Sequence, residues 1–233
     1  MFQRLAGPFK SFGLFPGCLY AINRVLGQLS PRFSLLYHDW MVQPIPEKPL
    51  LPGRLGQSYE TREIPEGDVL IDRMPLRPEV RVSRFAQDAI CLGTFRKGEL
   101  IGYIWLSFDT YEEDEARCTF VLEPESESVF DFDLYVLEKY RMGMGFAAVW
   151  DGAARYLRER GIKHSYSRLD HFNQKSAAAH DHLGWKLVGR AIILRLWSVE
   201  LIIASIRPHV SLLLTSTQRA RIRLFPDVLQ EAA

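Results

Sequence analysis

Cysteine is scarce. The chain of 233 residues has three, Cys18, Cys91 and Cys118. Their number is odd and their spacing fits neither a metal knuckle nor a redox pair, so they read as reduced thiols of a cytoplasmic protein. An excess of one charge is also missing: 29 Lys and Arg stand against 28 Asp and Glu, a net charge of +1. That leaves no overall electrostatic case for a nucleic-acid partner. No apolar run is long enough to span a bilayer, and the best candidate, residues 191–206, is interrupted by Arg195 and Glu200. Arg4 and Lys10 lie near the start, but Pro8, Gly13 and Pro16 break the apolar stretch and no clear cleavage site follows, so no signal peptide is read. Internal repeats and low-complexity tracts are absent. His171, His180 and His182 lack zinc spacing, and no metal is expected.

What is present is an ordinary globular composition, 47% hydrophobic and 24% charged, on a chain long enough for a sizeable core. Residues 1–31 are aromatic-rich and punctuated by Gly and Pro. Residues 18–29 read as an amphipathic helix with Leu19, Ile22, Val25, Leu26 and Leu29 on one side. It is expected to pack on the main domain. Membrane-surface contact is the weaker reading, because the helix has one basic residue, Arg24. Residues 34–42 read as a strand. Residues 43–53 hold four prolines and a glycine and mark the likeliest boundary. The organisation expected is an extension and Pro-rich linker over 1–53, a main domain over 54–215 and a basic tail over 216–233, with Arg219, Arg221 and Arg223 at alternate places.

Within the main domain, 58–64 reads as an opening strand and 78–88 as a helix with Val82 and Phe85 turned inward. Residues 89–95 and 100–108 flank the turn Arg96-Lys-Gly-Glu99 and predict a hairpin. An acidic knot at 111–115 precedes a strand over 116–122. Residues 187–197 are strand-like, and 200–214 read as a last strand divided by Pro208.

The most informative stretch is 130–185. Residues 130–136 alternate, with Phe130, Phe132, Leu134 and Val136 on one face and Asp131, Asp133 and Tyr135 on the other. Then comes Tyr140-Arg-Met-Gly-Met-Gly-Phe146, which runs into a helix over 146–160 closed by Gly161. A strand feeding a glycine turn at a helix N-terminus makes an anion site, because unpaired amides and the positive end of the helix dipole converge there. A short strand over 163–169 follows. Asn173, Ser176, His180, Gly184 and Trp185 come next, at spacings of three, four, four and one.

Together these two motifs resemble the GNAT acyltransferases over roughly residues 89–197. Gly143 and Gly145 occupy the glycine places of that family's pyrophosphate loop. Tyr140 stands at its Arg/Gln place, with Arg141 one residue late. His180 stands where the family commonly has Tyr. The resemblance implies a GNAT-like α/β (α+β) fold with a mixed, mostly antiparallel central sheet, a splayed parallel pair and flanking helices. It implies acetyl-CoA or another acyl-CoA as co-substrate. The turn Arg141, Met142, Gly143, Met144, Gly145 and Phe146 would hold the cofactor, as would Leu134, Tyr135 and Val136 on the open strand and Asn173, which also suits a helix N-cap. An imidazole at His180 would protonate the leaving thiolate. The amine base is sought near the split. Asp131 and Asp133 share a strand face, which would raise one pKa, with salt bridges to Arg117 or Arg168 as the plainer reading. The acidic knot offers a second supply, for which the plainer reading is a solvated turn. Asp133 and Glu113 are favoured as site-lining groups.

The activity implied is N-acyl transfer, most simply acetyl transfer to a primary amine on a small molecule or other amino-group acceptor. The alternatives are a long-chain N-acyltransferase, with the aromatic extension lining a lipid tunnel, and a non-catalytic acyl-CoA-binding module. A homodimer is left open.

Overall fold

The computed structural model describes residues 9, 12–181 and 183–230. In chain order the elements are α1 (Leu14–Leu29), β1 (Phe33–Pro44), α2 (Gly53–Gly56), β2 (Tyr59–Glu63), α3 (Val69–Asp72), α4 (Pro78–Phe85), β3 (Ile90–Arg96), β4 (Glu99–Phe108), β5 (Thr110–Glu112), β6 (Cys118–Leu122), β7 (Ser128–Val136), α5 (Glu138–Arg141), α6 (Gly145–Glu159), β8 (His164–Asp170), α7 (Gln174–Asp181), β9 (Lys186–Leu196), β10 (Val199–Ala204), β11 (Val210–Leu213), β12 (Ala220–Leu224) and α8 (Asp227–Gln230). They fall into two compact units. The first comprises Met1–Met41, Glu113–Phe120 and Arg168–Arg223; the second comprises Val42–Glu112, Val121–Ser167 and Leu224–Ala233.

The second unit is built on the strand order β8-β7-β4-β3-β2. The pairs β2–β3, β3–β4 and β4–β7 are antiparallel, and β7–β8 is parallel. The hairpin β3–β4 closes through Lys97 and Gly98, both at positive φ, as a tight primed turn requires. Helix α6 buries Ala148, Val149, Ala153, Ala154 and Leu157. It lies close on β4 because Gly102 has no side chain there: a Cβ would come within 2.5 Å of the Tyr135 carbonyl and 2.8 Å of Val149. Gly161 follows the helix at φ 75°, the left-handed C′ residue expected. Tyr103 and Trp105 alternate with Gly102 and face a separate core with Ile64, Met74, Cys91 and Phe95. There α4 brings Phe85 edge-on to Trp105 at 5.1 Å. Val82, expected inward, is 62% exposed. The residue α4 buries instead is Arg84.

The first unit has the order β11-β10-β9-β1, with α1 packing Leu19 and Leu26 on Leu35, Tyr37, Ile192 and Leu194. The Asn23 side chain accepts the Leu35 amide at 2.9 Å. The segment expected as one last strand is a hairpin, β10–β11, with Pro208 between its arms. The segment expected as a basic tail contains β12, beside β6, with Ala220 and Ile222 buried while Arg221 points outward. Apolar alternation outweighed the charge of its arginines.

Candidate active site

A bulge shapes the central strand. Tyr103 lies opposite Tyr135, but Trp105 lies opposite Phe132, so β7 carries one residue more than β4 across that interval. Asp133 absorbs it at φ 51°. The period of two therefore breaks, and Asp131 and Asp133 do not share a face, contrary to expectation. Asp131 lies opposite Leu106. The Asp133 carboxylate accepts a 2.7 Å bond from Arg84, whose guanidinium lies over the neighbouring Trp105 and Phe132, at 5.2 and 4.9 Å. Successive residues of a strand point to opposite sides, so the two carboxylates are separated by the sheet. Neither pairs with Arg117 or Arg168 as expected; Arg117 reaches Glu200 and Arg168 reaches Glu113 and Glu115.

The parallel pair parts just where Asp131 sits. Register between β7 and β8 runs Ser128↔His164, Val129↔Ser165, Phe130↔Tyr166 and ends there, while β7 continues to Val136. At the fork, Asp131 accepts bonds from Ser165 Oγ at 2.5 Å, Ser167 Oγ at 3.1 Å and Gln43 Nε2 at 3.5 Å. These side chains join the two strands where their backbones stop doing so. Burial pushes the Asp131 carboxyl up to about 6, against the two serine hydroxyls that pull it down.

Past the open edge, the chain turns. The Leu137 amide donates to the Ile101 carbonyl at 2.9 Å. Tyr140, at the family's Arg/Gln place, donates its hydroxyl to Glu99 at 2.7 Å, and Lys139 pairs with the same carboxylate. Arg141 donates Nε to the Val136 carbonyl at 2.8 Å and lies 5.1 Å over the Tyr135 ring, which stacks on Tyr103. The two glycines differ. At Gly145 a Cβ would meet Val136 at 2.6 Å and the Tyr140 carbonyl at 2.7 Å, so the fold itself demands glycine. At Gly143 the nearest atom is 4.0 Å away; nothing in the protein requires the missing side chain, and the surface above its backbone is open. Helix α6 then starts with no side-chain cap and no acid in its first turn. The first bond printed across its start is Ala148 N to Met144 O, and amides of a helix's first turn have no carbonyl one turn earlier to meet. Uncapped amides, the dipole and an open glycine fit a pyrophosphate.

The remaining expected residues lie in the first unit. Asn173 caps α7, accepting the Ser176 amide at 3.1 Å, the N-cap reading made from sequence. Glu113 is buried and committed: it accepts the amides of Glu115 and Ala116 and a 2.5 Å bond from Arg168. Burial pushes its carboxyl up while Arg168 pulls it back. It holds its own turn together, which a solvated acidic mouth would not require. His180 is buried, and burial lowers its pKa to about 4. It is neutral at pH 7 and has no imidazolium proton to donate, contrary to the role expected of it.

Sequence reasoning missed three features. Arg84 gave no signal, since its partner is 49 residues away. The Asp131 clasp had a faint one, the alternate serines Ser165 and Ser167. In the first unit, His171 Nδ1 lies 2.8 Å from Asp39, which also accepts Arg190 Nε at 2.9 Å; only folding brings these together.

A mixed sheet whose parallel pair forks beside a glycine turn and an uncapped helix start defines a transferase class within the α/β folds. Residues 57–185 match the Acetyltransferase (GNAT) family, more than half the chain, and the protein belongs to that family. No curated protein matches the sequence. Similar solved structures include a tandem GNAT protein from the clavulanic acid biosynthesis pathway (15% identity, 69% of this chain and 53% of that one, TM-score 0.46). A Drosophila protein shows 19% identity over 76% of this chain and 58% of its own, with TM-score 0.46. AAC(6')-Iy, solved with a bisubstrate analog, CoA-S-monomethyl-acetylneamine, shows 17% identity over 54% and 89%, with TM-score 0.41. The chain thus spans less than two thirds of the first two.

Proposed function

We propose that the protein is an N-acyltransferase that moves an acetyl group from acetyl-CoA to a primary amine by direct attack in a ternary complex. The observation that carries this reading is the open edge of β7 beyond Phe130, which runs through the Gly143–Gly145 turn into the uncapped start of α6. Acyl-CoA, when bound, supplies the activated acyl group. The backbone from Arg141 to Phe146 would hold its phosphates. The edge of β7 that faces away from β4, over Leu134, Tyr135 and Val136, would take the extended pantetheine arm, and an N–H on that edge would polarise the thioester oxygen, an interaction worth about 3 kcal/mol in other enzymes.

The incoming ammonium must lose a proton before nitrogen attacks the carbonyl carbon. Asp133 is the carboxylate for that step: it is half-exposed, projects from the bulge next to the open edge, and is oriented by Arg84. As the carbon–sulfur bond breaks, the second proton leaving the amine nitrogen would pass through water to the thiolate, since His180 is neutral and Glu113 is committed within its turn. The unit that holds this edge carries 15 Lys and Arg against 21 Asp and Glu, a net charge of −6, which favours a cationic acceptor on approach.

Calorimetric titration with acetyl-CoA, palmitoyl-CoA and free CoA tests the reading, with Gly143→Val beside the wild type. Binding lost in the variant supports the site, and the preferred chain length separates acetyl from long-chain transfer. Binding with no thiol release in the presence of any primary amine would favour a non-catalytic acyl-CoA-binding module. Folded protein that binds none of the three overturns the proposal.

A further inference from the structure

The near-zero net charge conceals a strong division. The first unit holds fourteen Lys and Arg against seven Asp and Glu, a net charge of +7. Two of those seven acids, Glu113 and Glu200, are buried in ion pairs with Arg168, Arg117 and Arg195.

The same unit leaves an apolar face open. Helix α1 turns Leu19 and Leu26 inward. A second row, Phe15, Cys18, Ile22, Val25 and Leu29, follows at alternating spacings of three and four and is exposed along its whole length. Phe15, at one end of the row, meets Tyr37 edge-on at 6.5 Å between ring centroids, and Leu29, at the other end, is 70% exposed. Next to it, the Trp197 amide donates to the Arg32 carbonyl, and Arg32 lies 4.5 Å over the Trp197 ring, itself 63% exposed. From Trp197 the surface continues onto the sheet. Register places Leu201 opposite Leu194 and Ile203 opposite Ile192, the residues α1 covers on β9. Leu212 and Val210 lie opposite Leu201 and Ile203. Paired residues share a face, so β10 and β11 extend the α1-covered face outward without a cover; Leu212 is 58% exposed. Helix row, hairpin tip and sheet together present an exposed apolar surface of the kind that marks an interaction site.

We infer that this face docks on an anionic lipid surface, with α1 and the β9–β10 hairpin tip entering the headgroup layer and the basic residues of the unit pairing with lipid phosphates. Charge decides between the possible occupants. A second copy would bring another unit of +7 against this one, and α1 has one charged residue, Arg24, so nothing flanking the apolar row would set a helix pairing. An anionic bilayer instead meets both the apolar row and the positive unit. The single basic residue of α1 argues against lipid only if the helix is taken alone; Arg32 beside Trp197 and Arg207 in the β10–β11 turn supply the charge from elsewhere in the fold. Among the described residues no helix is long and apolar enough to cross a membrane, so the contact is peripheral.

The test is co-sedimentation of the full chain with phosphatidylcholine vesicles, with and without phosphatidylglycerol. The expected result is partition onto the anionic vesicles only, weakened by salt on the scale of surface electrostatics. Val25→Glu with Leu29→Glu, both at exposed positions, should abolish partition with the melting temperature retained. Arg32→Gln and Arg207→Gln should each lower it about fivefold, the change that about 1 kcal/mol of attraction per basic residue near a charged bilayer corresponds to. Wild-type protein that stays in the supernatant with both vesicles overturns the inference, as does equal, salt-insensitive binding to both. A dimer seen by light scattering and dissolved by the Val25/Leu29 variant would also overturn it, assigning the face to a second copy.

Discussion

Asp131 gives the sharpest test of the fork between β7 and β8. Its carboxyl is fully enclosed, and burial raises its pKa from 3.8 to about 6. The folded state therefore binds this proton more tightly than the unfolded chain does. Stability from the protonated form is present below about pH 3.8 and is lost as pH rises through about 6. A shift of roughly two units at 1.36 kcal/mol each makes the loss about 3 kcal/mol by neutral pH. Asp131→Asn cannot titrate and keeps an oxygen for one of the two serine bonds, which Ser165 and Ser167 make to different oxygens. The stability of the variant minus that of the wild type should therefore grow by about 3 kcal/mol between pH 4 and pH 7, on the order of 6–12 °C in melting temperature for a chain of this size. Thermal melts of both proteins at half-unit pH steps measure it, and the subtraction removes every group the two share. A difference that stays flat or falls with pH would refute the reasoning, because it would mean that Asp131 is either hydrated or held ionised by a charge.

Three further outcomes follow from the site. Gly143→Val should melt with the wild type, whereas Gly145→Val should lose about 1–3 kcal/mol, because its side chain would be forced against Val136 and the Tyr140 carbonyl; parallel melting curves separate them. Asp133→Asn should lower turnover and also destabilise by about 1.5–3 kcal/mol, because it weakens the 2.7 Å charge-assisted bond to the buried Arg84; parallel melts and turnover assays measure both. The His180 ring should keep its neutral-imidazole NMR shifts from pH 8 down to about 5, since burial lowers its pKa to about 4, and a midpoint near 6.5 would show an exposed ring.

Much of the second unit was legible because its signals are local. The strand character of β7, the hairpin turn at Lys97 and Gly98 and the Gly161 stop each depend on a few neighbouring residues, as does the Asn173 cap in the first unit. The strand–glycine–helix order was readable for the same reason and led to the family. The polar pairings within each unit were not readable, because the partners come from distant parts of the chain: Arg84 meets Asp133 across 49 residues, Gln43 meets Asp131 across 88, and Asp39 meets His171 across 132.

The sequence by itself determined the strand, hairpin and helix order around 89–169 and that a glycine turn feeds α6, since periodicity and turn chemistry act over a few residues. Tertiary structure alone decided which way the functional side chains point. A bulge set by the register of β4 against β7 sent Asp131 and Asp133 to opposite faces, although their spacing in the chain placed them together. Burial turned Glu113 into a turn-holding group and His180 into a neutral ring, outcomes that depend on the desolvation and hydrogen bonding of the assembled unit. The split of a nearly neutral chain into units of +7 and −6 likewise arises because each unit gathers segments far apart in sequence, so composition averages over a difference that only folding separates.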